Sequence, residues 1–271
     1  MTHRRLFRLL LLLGLLIAFQ AELSALDGPE IHRRMTERDM GQSMHAIMKM
    51  TLIDGDASEK ERIIETWSMT YDRENDLSQS VMEFKSPSAV KGTRFLQVQQ
   101  LGRNDDQWIY LPALGRVRRI AAGEGSASFM GSDFTYDDMQ LQAGEEKAEH
   151  VLLGEESAAG YDCWVLESRS LDEDASYSRL VSWITKEHFL PVKVDFYDRK
   201  SGALLKQMTV EDEIVTVNGI PSITKTRMKS VADGHQTLLE TLKGKNGLLY
   251  LEYNISMDPA RFTQKFLQTG K

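Results

Sequence analysis

From Ser43 to Lys243 the chain is a succession of short segments of alternating side-chain character, nearly every one followed by a turn signal. No other feature restricts the fold as strongly. Met44, Ala46, Met48, Met50 and Leu52 alternate with Ser43, His45, Ile47, Lys49 and Thr51, the period of two that belongs to a strand. Asp54-Gly55-Asp56 then signals a turn. Beyond it Ile63, Trp67, Met69 and Tyr71 share one face and Thr66, Ser68 and Thr70 the other, so the two runs read as a hairpin. Similar segments follow at 77–85, 92–100, 106–111, 116–121, 148–154, 161–170, 177–185, 191–198, 203–213, 220–231 and 236–243. Their separators are turn-like, among them Ser86-Pro87, Ser201-Gly202, Asn218-Gly219 and Asp233-Gly234. Many short strands with regular turns predict a barrel or sandwich, not alternating strands and helices. Two helices frame the strands. Asp27-Gly28-Pro29 opens one that reaches Met40, with Ile31, Arg34, Met35 and Arg38 on one side. Asp258-Pro259 opens the other, over 258–268, with Phe262, Phe266 and Leu267 as its apolar stripe. No repeat of fixed period or low-complexity linker divides the chain, so 26–271 is expected to be one domain.

The first 25 residues read separately. Arg4, Arg5 and Arg8 precede the apolar run Leu9–Phe19, and Gln20-Ala21-Glu22-Leu23-Ser24-Ala25 follows. A basic start, a short apolar stretch and a small-residue exit are the pattern of a secretory signal peptide. The run is shorter than the roughly 20 residues needed to span a bilayer, and cleavage is expected after Ala25. The full chain has 271 residues, 33 basic against 40 acidic side chains and a net charge of −7. Without 1–25 it has 30 basic and 39 acidic residues, a net charge of −9. That acidic balance argues against a nucleic-acid binder. No Cys stands near the cleavage region for lipid attachment, so a soluble periplasmic protein is expected. The single Cys163 has no partner for an internal disulfide and is expected to be buried.

Two features point towards function. Met44, Met48, Met50, Met69, Met82, Met208 and Met228 all fall in strand-like runs. Methionine is flexible and polarizable, and adapts to varied apolar ligands. Ordinary core packing accounts for any one of them, but the group suggests an apolar wall. The expected wall is Met48, Met50, Leu52, Trp67, Met69, Met82 and Phe84, with the helices over the open side. Segment 91–139 is different in kind. Arg116, Arg118 and Arg119 precede a Gly/Ser-rich stretch, Gly123 to Ser128, and Asp133, Asp137 and Asp138 follow it. Either the two clusters pair across the stretch and order it, or the guanidinium groups face a lipid phosphate or a partner carboxylate, which they grip bidentately.

The run KGTRFL…WIYLPALGRVRRIA…FMGSDFTYDDM resembles the signature of the bacterial outer-membrane lipoprotein-sorting protein family, relatives of the LolA and LolB carriers. Its signature positions here are Lys91, Gly92, Thr93, Trp108, Tyr110, Pro112, Arg116, Arg118, Arg119, Met130, Gly131, Asp133, Tyr136 and Asp138. The resemblance implies a mainly β fold: an incomplete antiparallel barrel whose N-terminal and C-terminal helices cover an apolar cavity. It implies acylated lipoprotein or lipid cargo moved across the periplasm towards the outer membrane, and no cofactor. An inner-membrane transporter and an outer-membrane acceptor are the implied partners of a monomeric carrier. Such a carrier must shield acyl chains, at roughly 0.8 kcal/mol for each CH₂, yet release them. The reading requires a hollow that the sheet does not fill with its own side chains.

Enzymatic readings find little support. Beyond the leader the histidines are 32, 45, 150, 188 and 235, without metal-ligand spacing. Gly123-Glu124-Gly125-Ser126 matches neither a nucleophile elbow nor a phosphate loop. The acidic runs Asp172-Glu173-Asp174 and Glu211-Asp212-Glu213 lack the spacing of a Ca²⁺ loop. Three alternatives to a free carrier stay open: an accessory subunit of an inner-membrane lipid exporter, a lipid hydrolase with dispersed Ser, His and Asp, and a structural envelope protein with a filled core.

Overall fold

A computed structural model describes residues 26–140 and 148–271, so the expected leader lies outside the described residues. The strands are β1 (Ser43–Ile53), β2 (Glu59–Asp72), β3 (Leu77–Ser86), β4 (Arg94–Gln100), β5 (Arg103–Leu111), β6 (Arg116–Arg119), β7 (Ala148–Ala158), β8 (Tyr161–Ser170), β9 (Tyr177–Thr185), β10 (Pro191–Asp198), β11 (Leu204–Val210), β12 (Val215–Val217), β13 (Ile220–Ser222), β14 (Lys225–Ser230), β15 (Gln236–Thr241) and β16 (Leu251–Tyr253). Among the described residues one antiparallel sheet runs in the order β6-β5-β4-β3-β2-β1-β15-β14-β11-β10-β9-β8-β7. β16 pairs with Met44–Ala46 of β1, and β15 takes over from Met48 to Ile53. β12 and β13 form a separate hairpin. The sheet does not close: β6 and β7 are its two free edges. This is the expected mainly β, incomplete antiparallel barrel.

The alternation that defined the strands also sorts their faces. β8, β9 and β10 occupy 161–170, 177–185 and 191–198, as the periodicity predicts. The expected segment 220–231 is instead two strands, β13 and β14, separated by Ile223 and Thr224. β12 and β16, three residues each, are too short to show a period. Cross-strand partners carry one face across the sheet: Leu52, Thr237, Met228, Met208, Val194, Ser182 and Leu166 lie side by side from β1 to β8. Phe95 and Ile109 at one end and Val194 and Phe196 at the other belong to one apolar cluster on this face. Strands so far apart in the sheet meet only if it curls, so this is the inner face.

The two terminal helices do not share the open side as expected; they lie on opposite faces of the sheet, because both faces are apolar. Helix α1 (Gly28–Thr36) is capped by Asp27, which accepts from the Glu30 N–H at 2.9 Å. It is shorter than expected, ending where the Glu37 N–H closes on the Arg33 carbonyl. Ile31 packs on Leu166 and Ile184 of the inner face. Gly28 lies so close to β7 that a Cβ there would meet the His150 carbonyl oxygen at 2.4 Å. At the other terminus, Asp258 caps a 3₁₀ turn (Pro259–Phe262) and Thr263 caps helix α2 (Gln264–Thr269). Phe262, Phe266 and Leu267 pack on Trp67, Val81 and Leu96. Trp67 pairs with His45, whose side chain alternates with those of Met44 and Ala46, so α2 lies on the outer face. The Arg94 guanidinium donates to the Leu267 carbonyl at 2.9 Å and to Glu83 at 3.0 Å, while Arg261 stacks 4.1 Å above Trp67. Both sheet faces are apolar, so both need covering. Cys163 is fully buried, as expected, and burial pushes its thiol pKa up.

Candidate functional site

Of the expected wall, Met48, Met50, Leu52, Met82 and Phe84 share the inner face, where Met50, Leu52 and Phe84 are buried. Trp67 and Met69 lie on the outer face, beside α2. β2 is apolar on both sides, and its sequence does not say which side turns inward.

The inner face is covered in its middle not by the terminal helices or a further strand, but by the segment Ile120–Gln140, which opens with a 3₁₀ turn (Ala122–Glu124). Phe129, wholly buried, sits among Phe84, Phe95 and Tyr136 at ring separations of 6.1, 5.1 and 5.7 Å. Phe134, Tyr136, Met130 and Met139 join the same cluster. The expected open hollow is thus filled at this position, by the signature segment itself. The segment's backbone is largely satisfied from within. Phe129 N–H donates to Phe134 O at 2.7 Å, Ser132 N–H to Phe129 O at 3.0 Å, Tyr136 N–H to Ala127 O at 3.2 Å and Asp137 N–H to Gly125 O at 2.9 Å. A Cβ at Gly125 would stand 2.1 Å from Asp137 Oδ1, so a larger residue there would push the Asp137 carboxylate aside. The turn at the tip places Met130 and Gly131 in the left-handed region, at φ 55° and 75°. Beyond Ile120, whose N–H still donates to Gln107 O of β5 at 2.9 Å, the segment is a folded plug, seated on the sheet without joining its ladder.

Side chains hold the plug down. Gln107 donates to the Tyr136 carbonyl at 2.8 Å and Arg62 to the Met130 carbonyl. Asp133 exchanges hydrogen bonds with Thr237 at 2.9 and 2.7 Å, and its carboxylate lies 2.7 Å from His235 Nδ1. Asp137 accepts from Ser176, and from Gln140 at 3.0 Å. Asp138 accepts from the Tyr177 hydroxyl at 2.8 Å and forms an ion pair with Lys206. Both charged side chains of that pair are buried, at 5% and 4% exposure. Lys206 also donates to the Asp133 carbonyl at 3.1 Å and sits 5.2 and 5.1 Å from the Tyr177 and Phe196 rings. Burial depresses the Lys206 ammonium pKa, against the pull of Asp138. Burial and the Asp138 charge keep the Tyr177 phenol protonated.

The arginine and aspartate clusters therefore do not pair with each other. Arg118 binds Glu124 through both carboxylate oxygens, at 2.9 and 2.8 Å, and Arg119 binds Asp106. These arginines sit on edge strand β6, whereas the plug carries the aspartates across the inner face to β9, β11 and β15. The alternative, a phosphate on the arginines, meets two guanidinium groups already engaged by carboxylates; Arg116 is exposed. Of the other signature residues, Gly92 donates its N–H to Phe84 O at 2.8 Å, Thr93 is buried and Lys91 exposed. Trp108 and Tyr110 flank the α2 cluster, and Pro112 opens a 3₁₀ turn after β5. Sequence reasoning missed Arg62, Tyr177, Lys206, His235 and Thr237. The only signal was indirect: three closely spaced aspartates in an aromatic segment need partners when it is buried.

Among the described residues a Ser–His contact stands on the inner face. His150 Nδ1 lies 2.9 Å from Ser168 Oγ, and His150 stacks on His32 of α1 at 3.6 Å. Burial, then the neighbouring His150, lowers the His32 pKa to about 4; burial also lowers that of His150. Among the described residues no group of three or more His, Cys, Asp or Glu side chains could hold a metal ion, and no helix is long and apolar enough to cross a membrane.

Comparison with known proteins places this architecture. A family model described as an uncharacterized protein matches residues 76–269. The crystal structure of a DUF1329 family protein from Desulfovibrio piger ATCC 29098 is 29% identical, with a TM-score of 0.79 over 88% of this chain and 96% of that one. That of an outer membrane lipoprotein-sorting protein domain from Vibrio parahaemolyticus is 32% identical, with a TM-score of 0.79 over 89% and 98%. A LolA superfamily protein from Nitrosomonas europaea shares the fold at 19% identity, with a TM-score of 0.66 over 89% and 100%. No curated protein matches the sequence. With most of its length matched by the family model and by a 32% identical relative, the chain belongs to the DUF1329 and outer-membrane lipoprotein-sorting protein family and has the LolA-like fold.

Proposed function

We propose that the protein is a soluble periplasmic carrier, one domain over 26–271 behind a cleaved leader. On this reading it binds the acyl chains of lipoproteins or lipids against the inner face and passes them towards the outer membrane. The hollow is filled where the plug sits, so the reading needs the plug to lift; what supports it is that from Ala121 to Gln140 the backbone–backbone hydrogen bonds close within the segment, and no strand pair breaks when it leaves. Cargo takes the place of the plug rings. Each buried CH₂ contributes about 0.8 kcal/mol, and a buried Phe or Tyr side chain about 3 kcal/mol. Roughly ten to twelve methylenes therefore balance Phe129, Phe134 and Tyr136, which is most of one ordinary acyl chain. A near balance suits a carrier that must both load and unload. The methionines on this face, Met50, Met82, Met208 and Met228, accept chains without demanding one geometry.

The test is native mass spectrometry with lipid extraction on the full chain, expressed with its first 25 residues and recovered from the periplasm. Acyl species are expected at about one per protein. Protein that emerges clean, and that also excludes a fluorescent fatty acid, refutes the carrier. Co-purification with an inner-membrane transporter would make it that exporter's accessory subunit. The Ser168–His150 contact favours a second reading, a lipid hydrolase. Phospholipid ester hydrolysis, abolished in Ser168→Ala, would establish it instead.

A further inference from the structure

Lys206 stands in the middle of the sheet, on β11, with its side chain buried on the inner face. Among the described residues both of its hydrogen-bond acceptors, the Asp138 carboxylate and the Asp133 carbonyl, belong to the plug. The sheet itself offers the ammonium only ring faces, those of Tyr177 and Phe196. Its cross-strand neighbours are Phe196 and Ser230, neither of them an acid. Arg62 repeats the pattern from β2. It is half-buried on the inner face above Phe84, it donates to a plug carbonyl, and among the described residues it has no carboxylate partner. The counter-charge thus arrives with the cover. When cargo displaces the plug, a desolvated ammonium is left against an apolar wall. A bare buried charge is costly, and anything that replaces the plug must supply an anion.

The plug has the composition of such a replacement: rings inserted into the wall, and carboxylates at the edge of the ring cluster. We infer that Lys206 binds the oxyanion head of an amphiphile, a carboxylate or a phosphate, and that Asp138 occupies this head-group position while the plug is seated. The inference rests on the carrier reading and narrows it to acidic cargo. Tyr177 keeps its hydroxyl beside the site, where it donates to Asp138 now and to the head group on loading. A charge-assisted hydrogen bond in a dry site gives a preference of about tenfold to a hundredfold over an uncharged head.

The experiment measures the affinity of the full chain for three probes of equal chain length: a fluorescent fatty acid, its methyl ester and the corresponding alkyl phosphate. The wild-type protein is expected to bind one or both anions at least tenfold more tightly than the ester. Which anion leads identifies the head-group chemistry. Lys206→Met alone would leave Asp138 buried without its cation and endanger folding. The double variant Lys206→Met/Asp138→Asn keeps the site neutral, and circular dichroism reports whether its sheet is intact. In that variant the acid-to-ester affinity ratio is expected to fall below about two. In Asp138→Asn, which removes the internal competitor, the same ratio is expected to rise. Equal binding of acids and ester by the wild type overturns the inference and leaves the carrier standing. A preference that survives in the double variant also overturns it. Failure to bind any probe refutes the carrier reading itself.

Discussion

Replacing Phe129 by Ala separates a plug from an ordinary core. Phe129 is wholly buried and contacts Phe84 and Phe95 on the sheet and Tyr136 on its own segment. Truncating a buried Phe costs about 3–5 kcal/mol. Here part of the lost packing is between plug and sheet, so about 3 kcal/mol is the expected loss of seating energy. Every 1.4 kcal/mol is tenfold in an equilibrium constant, and the variant should raise the fraction of unseated plug by about a hundredfold. Cargo affinity scales with the fraction of protein in the binding-competent state. A fluorescent fatty acid should therefore bind up to about a hundredfold more tightly to Phe129→Ala, until the unseated form dominates and the gain saturates. Hydrogen exchange gives a second readout. Amides of 125–139 should exchange faster by a similar factor, while those of β1, β2 and β8 stay protected beyond them. If fatty-acid affinity falls or stays unchanged, and the sheet amides lose protection in step with the plug, Phe129 is core and the displacement argument fails.

Other consequences can be checked independently. Phe266→Ala should lower the melting temperature, because its ring packs with Trp67 and Leu96 and the loss is about 3 kcal/mol. Fatty-acid affinity should not change, since α2 lies on the outer face; a parallel fall in affinity would contradict the face assignment. His32 is held neutral by burial, with its pKa lowered from 6.5 to about 4. The unfolded chain therefore takes up this proton first as pH falls. Stability is complete above pH 6.5 and declines towards pH 4, by about 1–2 kcal/mol in all once solvent screening of the half-buried ring is allowed for. Denaturant titrations at pH 7, 5.5 and 4 should show this slope, reduced in His32→Gln; an unchanged slope in that variant places the effect elsewhere. Cys163 should resist a thiol reagent in native buffer and react on unfolding, because its side chain is buried and its thiol pKa raised. Reaction at the rate of a free thiol would contradict its burial.

Much of the fold was legible because strand alternation is a local property. The period of two in 43–53 and 161–170 is written in neighbouring residues, as are the caps Asp27 and Asp258 and the stripe Phe262, Phe266 and Leu267. Segment 91–139 carried a signature distinctive enough to place the family. Tertiary structure decided which side of each strand faces in. Met69 and Met82 look alike in sequence, yet they lie on opposite faces, because β2 and β3 are apolar on both. It also decided charge pairing. Arg118 and Arg119 find Glu124 and Asp106 close by, while Asp138 crosses the sheet to Lys206, 68 residues away. Periodicity reports a neighbour two residues along the chain. Which distant strand lies opposite, and what fills the space between, is set only when the sheet curls and one segment folds into it.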